Sequence, residues 1–267
     1  MTFLSASYVL FAFVLAIGVQ LFLIPDYRQS TPSADLTGRN VIVTGASFGI
    51  GEAIAREYAM RGASKIVLVS RSIGKLEKVK QTIFRQHLAS QQATQIYPIA
   101  ADLSSESACA ALMKEAMDKD HLDGQLDFLV LNHITSSYFG TWLGDNAALE
   151  GGHSFLSEMF SVNAFSYMWL STLGVPYLEK TDGQIVSISS LAAFVGTPKT
   201  AAYSSTKHAV LGFMDSLRIE LKMKYKEHLQ TRQDLEESGV KSKDIMHEGL
   251  VGITTVVREY VWFMLYV

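Results

Sequence analysis

Along this chain, short apolar runs rich in β-branched side chains alternate with longer mixed segments. The runs fall at residues 40–44, 65–70, 95–100, 126–132 and 183–189. Centres such as Ile66-Val67-Leu68-Val69 are continuously apolar, which suits strands covered on both faces. Residues 52–61, 75–88, 105–119, 155–178 and 203–225 have the length and composition of helices. Strand and helix in alternation predict an α/β fold: a doubly wound parallel sheet of Rossmann type, built as a single domain over residues 36–226.

The amino terminus follows another pattern. Residues 3–24 are 22 consecutive positions without a charge, and Pro25 and Asp26 follow them. As a helix rising about 1.5 Å per residue they reach about 33 Å, enough for a bilayer's hydrocarbon core. A cleaved signal peptide usually has a shorter apolar region behind a basic start, and Met1 to Ser7 holds no Lys or Arg. Residues 1–25 are therefore expected to be an uncleaved, single-pass membrane anchor, and residues 26–35, with Pro32 and several Ser and Thr, a polar linker. Asp26 largely offsets Arg28, so flanking charge does not orient the anchor.

Composition narrows the partners. The 23 basic and 26 acidic residues leave a formal charge of −3, with no basic patch suited to a nucleic-acid backbone. The single Cys109 cannot form an internal disulfide and reads as a buried helical thiol. His133, His153 and His208 have no metal-ligand spacing, and no role is assigned to them.

Chemistry enters at the end of the first run. Val41-Ile42-Val43 leads directly into Thr44-Gly45-Ala46-Ser47-Phe48-Gly49-Ile50-Gly51 and then a helix. Glycines there let the backbone turn sharply and let a pyrophosphate approach the amides of a helix N-terminus. The second run ends in Ser70-Arg71, without the acid that would accept hydrogen bonds from a free ribose 2′-OH. The Arg71 fork suits a 2′-phosphate instead, which predicts NADP(H); Phe48, inside the turn, supplies no second cation. Ser190 follows the last run, and Tyr203 and Lys207 share one helix face four residues apart. An ammonium so placed favours the phenolate and makes the phenol a suitable acid or base near neutral pH.

Taken together, Thr44-Gly45-x-x-x-Gly49-Ile50-Gly51, Asp102-Leu103, Asn132, Val162-Asn163, Ser190 and Tyr203-x-x-x-Lys207 resemble the short-chain dehydrogenase/reductase family over roughly residues 36–225. The resemblance implies that Tyr203 donates a proton to a carbonyl, or takes one from an alcohol. Lys207 would bind the nicotinamide ribose and tune Tyr203, Ser190 would polarise the substrate oxygen, and Asn163 would hold a water in a proton relay. The implied cofactor groove takes in Gly45, Ser47, Gly49, Ile50, Gly51, Ser70, Arg71, Asp102, Leu103 and Asn132, with Tyr203 and Lys207 reaching into it. Leu131-Asn132-His133-Ile134 and the N-terminal anchor are similar to the 11β-hydroxysteroid dehydrogenase type 1 branch. That similarity implies an endoplasmic-reticulum enzyme acting on steroids or other lipophilic carbonyls or alcohols, its domain in the lumen; a homodimer stays open.

After Lys226 the pattern departs from the family. Residues 227–248 are strongly polar where an apolar sixth strand is expected, and Leu250 to Thr255 only faintly resembles a strand-end turn. Residues 227–267 therefore read as an atypical extension. Its alternative consequence is a truncated chain, lacking the sixth strand, that binds cofactor without turnover and acts as a binding or regulatory module.

Overall fold

The computed structural model describes residues 36–87, 94–135, 152–196, 198–237 and 252–257. The chain divides into two compact units between Asp35 and Leu36, and the described residues belong to the second. The expected anchor and linker lie outside the described residues. Among those described, no helix is long and apolar enough to cross a membrane.

The first half runs β1 (Asn40–Thr44), α1 (Gly49–Met60), β2 (Lys65–Ser70), α2 (Ile73–His87), β3 (Gln95–Ala100), α3 (Glu106–Ala116) and β4 (Phe128–Leu131). The second half runs α4 (Gly152–Phe160), a π-helical turn (Ser161–Phe165), α5 (Ser166–Leu178), β5 (Gln184–Ser189), a 3₁₀ turn (Leu191–Ala193), α6 (Ala201–Glu237) and β6 (Gly252–Val257). The strands form one six-stranded sheet in the order β3-β2-β1-β4-β5-β6, every pairing parallel. Strand order reverses between β1 and β4. A crevice opens at the carboxyl ends of strands at such a switch point, and ligands of open α/β sheets bind there.

Alternate side chains of each strand enter opposite layers. Val41, Val43, Ile66, Leu68 and Val130 pack with Ala55 and Ala59 of α1 and Leu76, Val79 and Ile83 of α2. Ile42, Val67, Val69, Leu129, Leu131 and Ile185 pack with residues of α3, α5 and α6, including Leu112, Tyr167, Leu170, Val210 and Met214. Each large side chain so buried contributes roughly 1.5–3 kcal/mol, which is why the strands had to be continuously apolar. Helix α5 approaches closely because Gly174 faces β4: a Cβ there would lie 2.7 Å from Leu129 Cδ2. The opposite, amino-terminal end of β1 is held by Asp127, which accepts from Arg39 Nη1 at 2.6 Å and from Asn40 N at 2.8 Å.

Three elements differ from the sequence expectation. The helix expected over residues 155–178 is interrupted by the π-helical turn, although Ser161-Val162-Asn163-Ala164-Phe165 contains neither Gly nor Pro. The helix expected to end at residue 225 continues to Glu237, so the boundary drawn after Lys226 falls inside α6. Its polar extension, residues 226–237, is rich in Glu, Gln and Leu, which are good helix formers. A sixth strand is also present, contrary to the reading that it was missing. β6 pairs with β5 from Gln184↔Gly252 to Ser189↔Val257. Its Ile253-Thr254-Thr255-Val256-Val257 is β-branched throughout, the composition a pleated ladder favours.

Candidate active site

At the crevice, Thr44 ends β1 and ties it to the end of β4. Its Oγ1 donates to Val130 O at 3.0 Å and accepts from Asn132 N at 3.0 Å. The chain then turns through Gly45 and Gly49, whose φ of +65° and +62° lie in the left-handed region that favours glycine. Close approach matters as much as dihedral. A Cβ on Gly45 would lie 2.8 Å from His133 Cα, and one on Gly51 would strike Gly45 O and crowd Asn132 Nδ2. Asn132 Nδ2 donates to Gly45 O at 3.2 Å and fixes the turn from beneath. Helix α1 starts after Phe48 with no side-chain cap, so its first amides face the crevice. Such a helix start favours a phosphate.

A cavity of about 340 Å³ occupies this crevice. It brings together Gly45, Ser47, Gly49, Ile50, Ser70, Arg71, Asp102, Leu103 and Asn132, all expected from the sequence. Gly51 does not line it but packs behind the turn. Ser70 Oγ accepts from Ser72 N at 3.2 Å and shapes the bend after β2, leaving the Arg71 side chain exposed at the rim. Asp102 Oδ1 accepts from Ser104 N at 3.2 Å, and Leu103 is buried beneath it. The left-handed glycines and the uncapped helix start fit a dinucleotide's pyrophosphate.

A second cluster sits at the carboxyl end of β5. Lys207 is 1% exposed, yet its Nζ donates to Ile188 O at 3.1 Å and lies 5.1 Å from the Tyr167 ring centre and 5.9 Å from that of Tyr203. Tyr203, one turn earlier on α6, is buried against Met159 and Ala192. Ser190 is fully buried, and its Oγ accepts from Ala192 N at 3.0 Å. Asn163 stands in the middle of the π-helical turn, fully buried. Its Oδ1 accepts from Thr135 N at 2.8 Å, while Nδ2 has no hydrogen-bond partner among the described residues. Such a donor costs about 1–3 kcal/mol when left unsatisfied, and π-helical turns collect at functional sites. These four residues stand apart from the lining of the glycine-turn cavity, which reaches toward them through His133, Ile134 and Val162.

Two residues of this region carried no role in the sequence reading. His133 is buried with Nδ1 2.8 Å from Thr44 Oγ1 and Nε2 2.6 Å from Ser166 Oγ. Tyr167 Oη donates to His133 O at 2.9 Å, and the two rings lie 4.7 Å apart. Burial first, and the Lys207 charge second, hold the imidazole down to about 3, against a weaker opposing bond to the Val162 backbone. His133 is therefore neutral, donating through one nitrogen and accepting through the other. The signal was a polar pair, Asn132-His133, closing a buried strand. Lys75 is the other: it lines the same cavity as Arg71, with Nζ 5.8 Å from the Phe48 ring centre.

Compared with known proteins, residues 39–225 match the short chain dehydrogenase family. The Hydroxysteroid 11-beta-dehydrogenase 1-like protein of Gallus gallus is 40% identical over 197 residues, 74% of this chain and 63% of that protein. Its namesake in Homo sapiens is 35% identical over 201 residues, 75% of this chain and 59% of that protein. The chain thus spans less than two thirds of the length of these relatives. Among solved structures, a metagenomic short-chain oxidoreductase in complex with NADP superposes with a TM-score of 0.62 at 31% identity, over 71% of this chain and 79% of that one. An alcohol dehydrogenase of the archaeon Thermococcus sibiricus, complexed with 5-hydroxy-NADP, gives a TM-score of 0.59 at 25% identity, over 68% and 71%.

Proposed function

We propose, from the premise that this chain belongs to the short-chain dehydrogenase family, that it is an NADP(H)-dependent oxidoreductase interconverting a ketone and a secondary alcohol on a lipophilic, steroid-like substrate. The observation that carries the reading is the buried Lys207, held by Ile188 O with its Nζ 5.9 Å from the centre of the Tyr203 ring, one helical turn earlier. Removing an ammonium from water is costly, and here its charge faces two phenol rings and the Ile188 carbonyl at the strand end.

When bound, a nicotinamide cofactor supplies or accepts the hydride. This chain's residues do the rest. Tyr203 holds the proton at Oη that passes to a carbonyl oxygen, and Lys207 stabilises the phenolate left behind. Ser190, its hydroxyl oriented by the bond from Ala192 N, donates toward the substrate oxygen. Asn163, its amide carbonyl engaged by Thr135 N, directs Nδ2 at a water that returns the proton. Gly45 and Gly49 would admit a pyrophosphate to the start of α1, with Gly51 packed behind the turn, and Arg71 would hold a 2′-phosphate at the rim. The lipophilic substrate is supported by the similarity to the hydroxysteroid 11-beta-dehydrogenase 1-like proteins.

The reading includes a membrane anchor over residues 3–24, with the domain in the endoplasmic-reticulum lumen. The alternative of a chain that binds cofactor without turnover rested on an absent sixth strand and a reduced lid, and β6 removes the first of these grounds. NADPH oxidation by the purified chain, assayed over ketosteroids and aromatic ketones, tests the proposal; cofactor binding with no turnover on any of them counts against it.

A further inference from the structure

The glycine turn carries Phe48 in the lining of the same cavity as Arg71, and Phe48 is 69% exposed. An exposed aromatic ring at the rim of a polar groove calls for a physical reason. Lys75 supplies one. It stands in the first turn of α2, where Lys75 N donates to Ser72 O at 3.2 Å, only four residues beyond Arg71. Its Nζ lies 5.8 Å from the centre of the Phe48 ring, and Phe48, Lys75, Arg71 and Ser72 line one cavity. A lysine on a four-carbon stem is normally a mobile point charge, and the negative face of a ring confines it. Neither Arg71 nor Lys75 is paired with a carboxylate among the described residues.

The charge balance at this end of the groove favours two cations. A phosphate monoester carries about −1.5 to −2 charges at pH 7, and Asp102 adds a carboxylate to the same lining. One guanidinium leaves that sum negative. Resting on the NADP(H) reading above, we infer that Lys75, seated on the Phe48 ring, is a specificity-determining residue that joins Arg71 in clamping the ribose 2′-phosphate. Phe48 then acts as a positioning residue. The cation that the turn itself lacks arrives from α2, the helix after β2.

The test is titration of the full chain with NADPH and with NADH, followed by cofactor fluorescence, for wild type, Lys75→Met, Lys75→Arg, Phe48→Leu and Arg71→Ala. The ratio of the NADH to the NADPH dissociation constant should fall about tenfold in Lys75→Met, with the NADH constant itself moving by less than about twofold. Lys75→Arg should keep the wild-type ratio, and Phe48→Leu should lose about threefold of it, because the cation is no longer held in place. Lys75 and Phe48 are exposed, so unchanged thermal midpoints are expected and a folding defect will be visible as a lowered one. A preference lost in Arg71→Ala but kept in Lys75→Met overturns this inference alone. A wild type that does not discriminate between the cofactors overturns the NADP(H) reading, and the inference with it.

Discussion

His133, sealed between Thr44 and Ser166 and facing the Lys207 charge, has one protonation state near neutrality. An unfolded chain would take up a proton at this imidazole as pH falls through 6.5, whereas the folded chain refuses it until about 3. The unfolded state therefore binds more protons across that window, so the histidine's contribution is complete above pH 6.5 and is lost as pH falls toward 3. His133→Gln, which retains an amide able to bridge two hydroxyls, should flatten the fall of the thermal midpoint between about pH 6.5 and 5; parallel curves for the two proteins would contradict this. At the same scale, legibility followed dihedral and charge. Gly45 and Gly49 could be read because a left-handed turn after a strand favours glycine, and Arg71 because it replaces an acid. Lys75 could not, since its role depends on which way the Phe48 ring faces. His133 could not either, because its partners lie 89 residues upstream and 33 downstream.

At the level of elements, the crevice depends on β1 and β4 being held at both ends. Thr44 Oγ1 joins them at the cofactor end, and Asp127 joins them at the other through Arg39 and the Asn40 amide. Asp127 is 7% exposed, so Asp127→Asn removes a charged acceptor from a buried amide as well as from a half-exposed arginine. Charge-assisted bonds of this kind contribute about 1.5–3 kcal/mol, and urea unfolding of the variant should show a loss in that range. A change under about 0.5 kcal/mol would mean that the ladder alone sets the register. Strands β1 and β2 were legible because parallel strands buried on both faces carry unbroken apolar runs. The π-helical turn was not, for its five residues contain no helix breaker and the insertion is defined by backbone bonding alone. β6 was hidden for a related reason. Its ladder comes from β5, while the polar sequence before it, up to Glu237, continues α6 and postpones the return to the sheet.

For the whole molecule, the proposed anchor and the described cavity fall in different units of the chain. Every described residue lining the cavity, from Gly45 to Val162, lies in the unit that begins at Leu36. Full-length protein should therefore stay with membranes through alkaline carbonate, and deletion of residues 1–25 should release a domain with unaltered NADPH affinity. Full-length protein in the soluble fraction, or a truncated domain with weakened affinity, would contradict this separation. The parallel, doubly wound sheet followed from the alternation of runs in the sequence, while the position of the switch point and the extent of the domain beyond Lys226 followed only from strand pairing. The central claim is that Tyr203, served by the buried Lys207, moves the proton in a carbonyl reduction. Its most direct test is NADPH-dependent ketone reduction by wild type and Tyr203→Phe, with the NADPH dissociation constant measured for both. The account predicts turnover lower by at least about 10²-fold with affinity nearly unchanged; turnover that survives the loss of the Tyr203 hydroxyl would contradict it.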